Sequence, residues 1–179
     1  MINSSINANG IYLTYFDILG YVAILFSVMA FLAQNKNKMR LHGMTSTVLF
    51  GVSIYYYNGI NGLFVSSVSF LVKLLSIKFD ESKLEILKII SPFIAFIFFI
   101  YFNDEGIIGI LPAISLIFII IADLQTDLLR MKQWYYGSAF CWLTYGILLG
   151  SIPAIIFDIL GLGAITYSII TVNYPHLKK

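Results

Sequence analysis

The sequence predicts an all-α membrane protein with seven transmembrane helices, and three observations carry this prediction. First, 59% of the 179 residues are hydrophobic and only 11% are charged, with a mean hydropathy of +0.88. Soluble domains contain roughly 25% charged residues and leave much of a small fold exposed, so soluble enzyme folds are excluded. Second, the apolar residues form long stretches. Third, the basic residues lie between alternate stretches.

Seven apolar stretches reach or nearly reach the length of a membrane helix, which is about 20 residues at ~1.5 Å rise each. They are 15–34, 41–57, 60–77, 86–102, 107–124, 134–150 and 152–172. The second stretch is the weakest, because Thr45, Ser46, Thr47 and Ser53 dilute it. A membrane β-barrel would instead show strands of about ten residues with alternating polarity, and the chain lacks that alternation.

The eleven basic residues predict the orientation, because loops rich in Lys and Arg stay in the cytoplasm. With seven spans, all eleven fall on one side of the membrane. The N-terminal tail and the loops on the opposite side contain no Lys or Arg. The N-terminus is therefore expected outside and the C-terminus in the cytoplasm.

The order of the stretches suggests an internal repeat. A first group of three helices (15–77) and a second group (107–172) flank a single helix (86–102). In each group a basic loop follows the first helix, and a very short turn joins the second helix to the third. An odd helix between the groups lets them run parallel, which is one known transporter construction. We therefore expect a 3+1+3 plan of two parallel three-helix bundles with 86–102 outside both.

Two segments resemble the PQ-loop superfamily of SWEET and SemiSWEET transporters. Residues 18–23, 31–34 and Lys38 look like its first helix, and 142–153 resemble the junction of its second and third helices. Within the superfamily, nearly the whole chain is most similar to the YgjV-type bacterial inner-membrane proteins. The resemblance implies a bacterial inner membrane and, at superfamily level only, transport of a sugar or other small solute. It also implies that the third helix of each bundle packs between the first two.

The chain departs from the superfamily at the residues that name it. Ala33-Gln34 stands in place of the Pro-Gln pair, and Ala122-Asp123 occupies the corresponding place in the second half. Proline interrupts the hydrogen-bond ladder of a helix and lets it bend. The proline hinge of the superfamily is therefore missing at both places.

Trp142 and Asp158 are the first candidates for a solute site. Both lie ~10–12 Å below the same surface, on neighbouring antiparallel helices. A carboxylate near the bilayer centre costs ~2.5–3.5 kcal/mol on insertion scales, so it faces a cavity or a partner. The resemblance implies a solute-stacking role for Trp142 and a solute-binding role for Asp158. The alternatives are ordinary aromatic packing for Trp142 and, for Asp158, a structural hydrogen bond accepted from the hydroxyl of Tyr145 or of a serine.

The first half offers a second pair at matching depth, Tyr55 and Ser69. Tyr55 would take the stacking role and Ser69 the polar role. Alternatively, Tyr55 belongs to an aromatic belt at the membrane interface, and Ser69 only allows close helix packing.

Charged residues near the cytoplasmic helix ends could form a gate. Asp123 is expected to pair with Lys38 or Arg130, either as the latch of a transporter or as a plain salt bridge, and Gln34 lies at the same end. Lys73 is expected to extend its amine to the interface, as membrane lysines often do.

The remaining residues favour a transporter over an enzyme. His42 and His176 have no companions at metal-ligand spacing, and the motifs of metalloproteases, serine hydrolases and phosphate loops are absent from the sequence. We expect no metal, cofactor or nucleic acid, only the lipid bilayer and a small polar solute bound between two rocking bundles. The alternatives are a membrane receptor, assembly or structural protein on the same scaffold, and a homo-oligomer that transports only as an assembly. A polar cavity beside Trp142 and Asp158 would favour transport, and an apolar packed centre would favour the receptor or structural alternative.

Overall fold

The computed structural model describes residues 6–8, 11–13, 15–56, 60–79, 81–103 and 106–173. The helices are α1 (Tyr15–Leu32), α2 (Lys36–Tyr56), α3 (Ile60–Lys78), α4 (Glu85–Phe102), α5 (Ile110–Asp123), α6 (Leu128–Leu149) and α7 (Ile152–Asn173). Short 3-10 turns precede α4 and α5, and the strands β1 (Ile6–Ala8) and β2 (Ile11–Leu13) pair antiparallel before α1. The turn 57–59, the C-terminal residues 174–179 and most of the tail before α1, which the orientation prediction uses, lie outside the described residues.

Helices α2 and α6 begin earlier than the sequence predicts. The basic residues before the predicted starts suggested loops, but two N-terminal caps bring those residues into the helices. Asn35 Oδ1 accepts a hydrogen bond from the backbone N–H of residue 37 at 2.8 Å. Asp127 Oδ1 accepts one from residue 129 at 2.9 Å. Such caps satisfy backbone donors that a helix start leaves free, and they place Arg40 and Lys132 on helical turns.

Six of the helices form a ring. Along the ring, the order is α1, α2, α3, α5, α6, α7 and back to α1, and α4 packs outside the ring against α5. Within each half the second helix lies between the first and the third. The expectation that the third helix packs between the other two is therefore wrong. The connections within each half are short, so each helix packs beside its predecessor.

The outside of the ring is apolar, whereas the inside contains many polar side chains. Large exposed side chains of α4 include Ile89, Phe93, Phe96 and Tyr101. The buried positions of the ring helices include many serines and several charged residues. Among the described residues, four segments are long and apolar enough to cross a membrane: Tyr15–Leu32, Ile60–Lys78, Gly106–Asp123 and Ala154–Thr171. An apolar exterior suits contact with lipid, and polar side chains within membrane helices typically face the protein interior.

Candidate functional site

A cavity of about 100 Å³ lies inside the ring, and residues of all six ring helices line it. One water needs ~10–15 Å³ on the same measure, so the cavity is large enough for several waters or a small solute. Most of the lining is apolar. The polar groups include serine hydroxyls, the Lys73 amine and the Asp158 carboxylate.

The structure brings Trp142 and Asp158 to this one cavity. Asp158, on α7, is only 3% exposed, and Trp142, on α6, is 9% exposed. The Oδ2 atom of Asp158 is buried and accepts no hydrogen bond from the part of the chain that the structure describes. Both side chains therefore face the interior rather than lipid. Their role in binding a solute stays a prediction.

Two further aromatic rings adjoin Trp142 and Asp158 in the cavity wall. Phe50 meets Trp142 edge to face, with ring centroids 5.9 Å apart and an interplanar angle of 88°. Phe50 also lies against Phe157, the neighbour of Asp158 in sequence, with centroids 4.6 Å apart. The ring of Tyr145 also packs edge to face against Trp142, with ring centroids 5.5 Å apart. Phe50, Trp142 and Phe157 thus line the cavity together with the Asp158 carboxylate, whereas Tyr145 is not part of the lining.

The two residues predicted from the first half are placed differently. Ser69 is buried and lines the cavity, where its hydroxyl accepts a hydrogen bond from the Lys73 amine. Tyr55 is 55% exposed and is not part of the cavity lining. Phe50 and Ser66 line the cavity instead, and sequence reasoning missed both.

Phe50 and Ser66 can be recognised from a constant difference in residue number between similar features of the two halves. The hydroxyl of Ser46 donates to the carbonyl of Ala23, and the hydroxyl of Ser138 contacts that of Ser115; each pair is separated by 23 residues. Adding 92 to the first pair of residue numbers gives the second pair, and the same addition converts the cap at residue 35 into the cap at residue 127.

The same spacing relates two pairs of cavity residues. Trp142 corresponds to Phe50, and Asp158 corresponds to Ser66. Depth below the turn between the second and third helices matches Tyr55 to Trp142. That match holds only if corresponding residues lie equally far from their turns. A search for one common offset that aligns serines and helix caps would have identified Phe50 and Ser66.

Buried cations tie the halves together at one end of the ring, which we call the basic end. It is the end where α1 and α5 stop and α2 and α6 start. Arg40 donates to the carbonyl of Ser76 at 3.1 Å and to that of Asp123 at 2.5 Å. Lys132 donates to the carbonyl of Ala33 at 3.0 Å and to the hydroxyl of Ser168 at 2.5 Å.

These two cations are counterparts under the same spacing, and each bridges the halves. Arg40 belongs to the second helix of the first half and holds the end of α5. Lys132 belongs to the second helix of the second half and holds the chain just beyond α1. Carbonyls at helix C-termini lack partners within the helix and carry partial negative charge, so they are suitable ligands for cations.

The partner of Asp123 is Lys73, with Nζ and Oδ2 3.3 Å apart and both side chains buried. The expected partners Lys38 and Arg130 are exposed, as is Gln34, whereas Asp123 faces the ring interior. The hydroxyl of Tyr135 donates to the other Asp123 oxygen at 2.7 Å.

Lys73 also corrects a prediction, because its amine does not extend to the interface. Lys73 is 3% exposed and contacts Asp123 and Ser69 inside the ring. A buried ammonium is tolerated where a carboxylate and hydroxyls meet it. The sequence alone did not place α3 beside α5, so it could not identify this pair.

Comparison with known proteins assigns the chain to a family. No curated protein matches the chain, and no solved structure matches it. The family model Imp-YgjV, described as bacterial inner membrane protein, matches residues 15–174. Because that match covers nearly the whole sequence, the chain belongs to the Imp-YgjV family and is a multi-pass protein of the bacterial inner membrane.

Proposed function

We propose that the protein is a carrier that moves a small polar solute through the central cavity by alternating access. The observation that carries this proposal is a buried carboxylate, Asp158, facing a cavity inside a ring of membrane helices. Ionisable residues inside a membrane are costly and typically mark a solute or ion pathway. A purely structural protein on this scaffold would have no comparable need for the cavity or for the carboxylate.

The spacing of 92 residues supports a 3+1+3 plan for this carrier. Helices α1–α3 and α5–α7 would form two repeats with α4 outside both, in the manner of the SWEET-like superfamily that the sequence resembles. Parallel repeats of this kind are related by an axis along the membrane normal. The solute site would lie near that axis, between the halves. One chain suffices for this mechanism, because both halves line the cavity.

The cations at the basic end supply a candidate gate. Arg40 and Lys132 each connect the two halves through backbone carbonyls. The Lys73–Asp123 pair connects α3 to α5 beside them. Rocking of one half against the other would have to break these contacts, so they would hold the basic end closed in the state described here. Asp123 is the one residue of the predicted gate that takes part.

The test of this function is uptake by purified protein in liposomes, measured with a mixed panel of small labelled solutes. We expect at least one solute to enter faster than it enters protein-free liposomes. That solute should also move across the membrane in both directions, because a carrier that is not coupled to an energy source can only equilibrate its solute. Entry no faster than in protein-free liposomes for every class of small solute would contradict the carrier function and favour a receptor or structural role.

Orientation gives a separate prediction, because all Lys and Arg residues fall on one side if seven helices span. Helices α2 and α6 contain 21 and 22 residues, which is enough for a bilayer core that needs about 20. A reporter that is active only in the periplasm should be inactive when fused after Lys179 and active when fused after Asp104. The reverse activities would place the basic end outside and refute this orientation.

A further inference from the structure

We propose that the cavity selects a small organic cation: an ammonium group would bind between Asp158 and the rings of Phe50, Trp142 and Phe157. This inference deepens the proposed function by naming the class of solute. It concerns binding, which can be measured without transport.

The charges around the cavity favour a cation at Asp158. Within the described residues, Lys73 is paired with Asp123, and Arg40 and Lys132 donate to carbonyl oxygens. Asp158 differs, because its Oδ2 atom is buried and accepts no hydrogen bond in that same part of the chain. A buried carboxylate without a partner is strongly unfavourable, and a cation in the cavity would compensate its charge.

The aromatic rings that line the cavity also favour a cation. Phe50, Trp142 and Phe157 line the cavity with Asp158 and contact one another through Phe50. Ring faces attract ammonium groups, by ~0.5–1 kcal/mol at exposed sites and ~2 kcal/mol or more where water is excluded. A carboxylate among aromatic rings therefore offers an ammonium group both a counter-charge and favourable contacts for its carbon atoms.

The cavity lining suits a cation better than it suits a sugar. A sugar needs many hydrogen-bond partners, because each buried hydroxyl without one is costly. Several hydroxyls of the cavity are already engaged: Ser46 donates to Ala23, Ser138 pairs with Ser115, and Ser69 accepts from Lys73. The rest of the lining is mainly apolar. This composition suits a short alkylammonium ion better than a polyhydroxylated ring.

The positive charges near the cavity do not oppose this reading. Lys73 also lines the cavity, but its charge is met by Asp123 at 3.3 Å. Lys73 lies seven residues beyond Ser66, the counterpart of Asp158, which corresponds to ~10 Å along a helix. Arg40 lies at the same end as Lys73 and holds the end of α5. If the spacing of 92 residues sets equal depths, Asp158 and Lys73 lie about two helical turns apart along the helix axes.

The experiment measures binding to the purified full chain in detergent, by titration calorimetry and by thermal unfolding. The probes are propylammonium, its neutral counterpart 1-propanol, and glucose. We expect propylammonium to bind and to raise the unfolding midpoint with increasing concentration, while 1-propanol and glucose do not. Equal effects of propylammonium and 1-propanol, or binding of glucose alone, would overturn the inference using the unaltered protein.

Variants identify the groups that bind. Asp158→Asn should weaken propylammonium binding by on the order of tenfold or more, which corresponds to ~1.4 kcal/mol or more. Without ligand the same variant should unfold at a higher temperature, because it removes an unpaired buried charge. Glu85→Gln, at an exposed acid on α4, should change neither property. Unchanged binding in Asp158→Asn, or a lower unfolding midpoint of its ligand-free form, would overturn the inference.

The two proposals can fail separately. Binding of propylammonium without uptake of any solute would leave the cation site standing and remove the carrier function. Uptake of a neutral solute by protein that does not bind propylammonium would leave the carrier function and remove the cation site.

Discussion

Uptake is expected to stop when Asp158 is replaced by alanine, while membrane insertion and expression stay near normal. The carboxylate is the charged group that α7 presents to the cavity, and alanine removes its charge, its hydrogen-bonding atoms and part of the cavity wall. Insertion should be unaffected, because removing a carboxylate makes α7 more apolar. The measurement is initial uptake rate per inserted protein in liposomes, for whichever solute the unaltered protein carries.

Two control variants separate this effect from general damage. Glu85→Ala removes an exposed acid from α4, outside the ring, and should transport normally. Trp134→Ala removes a tryptophan of α6 that packs on Phe118 outside the cavity lining, whereas Trp142→Ala removes one that lines it. Trp142→Ala should reduce uptake more than Trp142→Phe, which keeps an aromatic face. Full uptake by Asp158→Ala would remove the carboxylate from the transport mechanism.

The largest loss of stability is expected from Lys73→Met. This change leaves Asp123 buried without its partner at 3.3 Å, and breaking one side of a buried ion pair typically costs ~3–5 kcal/mol. For a chain of this length, that corresponds to a drop in the unfolding midpoint on the order of 10 °C. Thermal unfolding of the purified protein in detergent would measure the drop.

The double variant Lys73→Met, Asp123→Leu provides the sharpest comparison. Replacing both members of a buried pair by apolar residues is often neutral, so the double variant should regain most of the lost stability. Lys88→Met breaks a pair on the surface of α4, where such a pair is worth ~0–1 kcal/mol, and serves as the matched control. If Lys73→Met unfolded at the same temperature as Lys88→Met, the buried pair would contribute no measurable stability.

Much of the fold could be predicted from the sequence, because a long apolar stretch identifies a membrane helix. The starts of α2 and α6 could not be, since their first turns are basic and resemble loops until the caps at Asn35 and Asp127 are recognised. The sequence also could not predict which helices are neighbours in the ring. Apolar length says where a helix spans but not which helix it contacts.

Only part of the candidate site could be predicted, because the sequence does not show which distant helices are in contact. Trp142 and Asp158 lie on adjacent helices joined by a tight turn, so their meeting followed from local geometry. Lys73 and Asp123 lie on α3 and α5, which the chain brings together only through the closed ring. The contacts of Arg40 and Lys132 between the halves depend on the same closure. Pairs that depend on ring closure need the three-dimensional arrangement.

The spacing of 92 residues has a consequence for why both halves belong to a single polypeptide. A symmetrical dimer of half-length chains would have to carry the same residue at both counterpart positions. Two copies of Asp158 facing one small cavity would repel each other, and two copies of Ser66 would offer no charge. In a single chain the residues at the two positions can differ, and here one is the acid Asp158 and the other is Ser66. The cavity lining is therefore charged at one of these two positions only, and the proposed solute would bind in one preferred orientation.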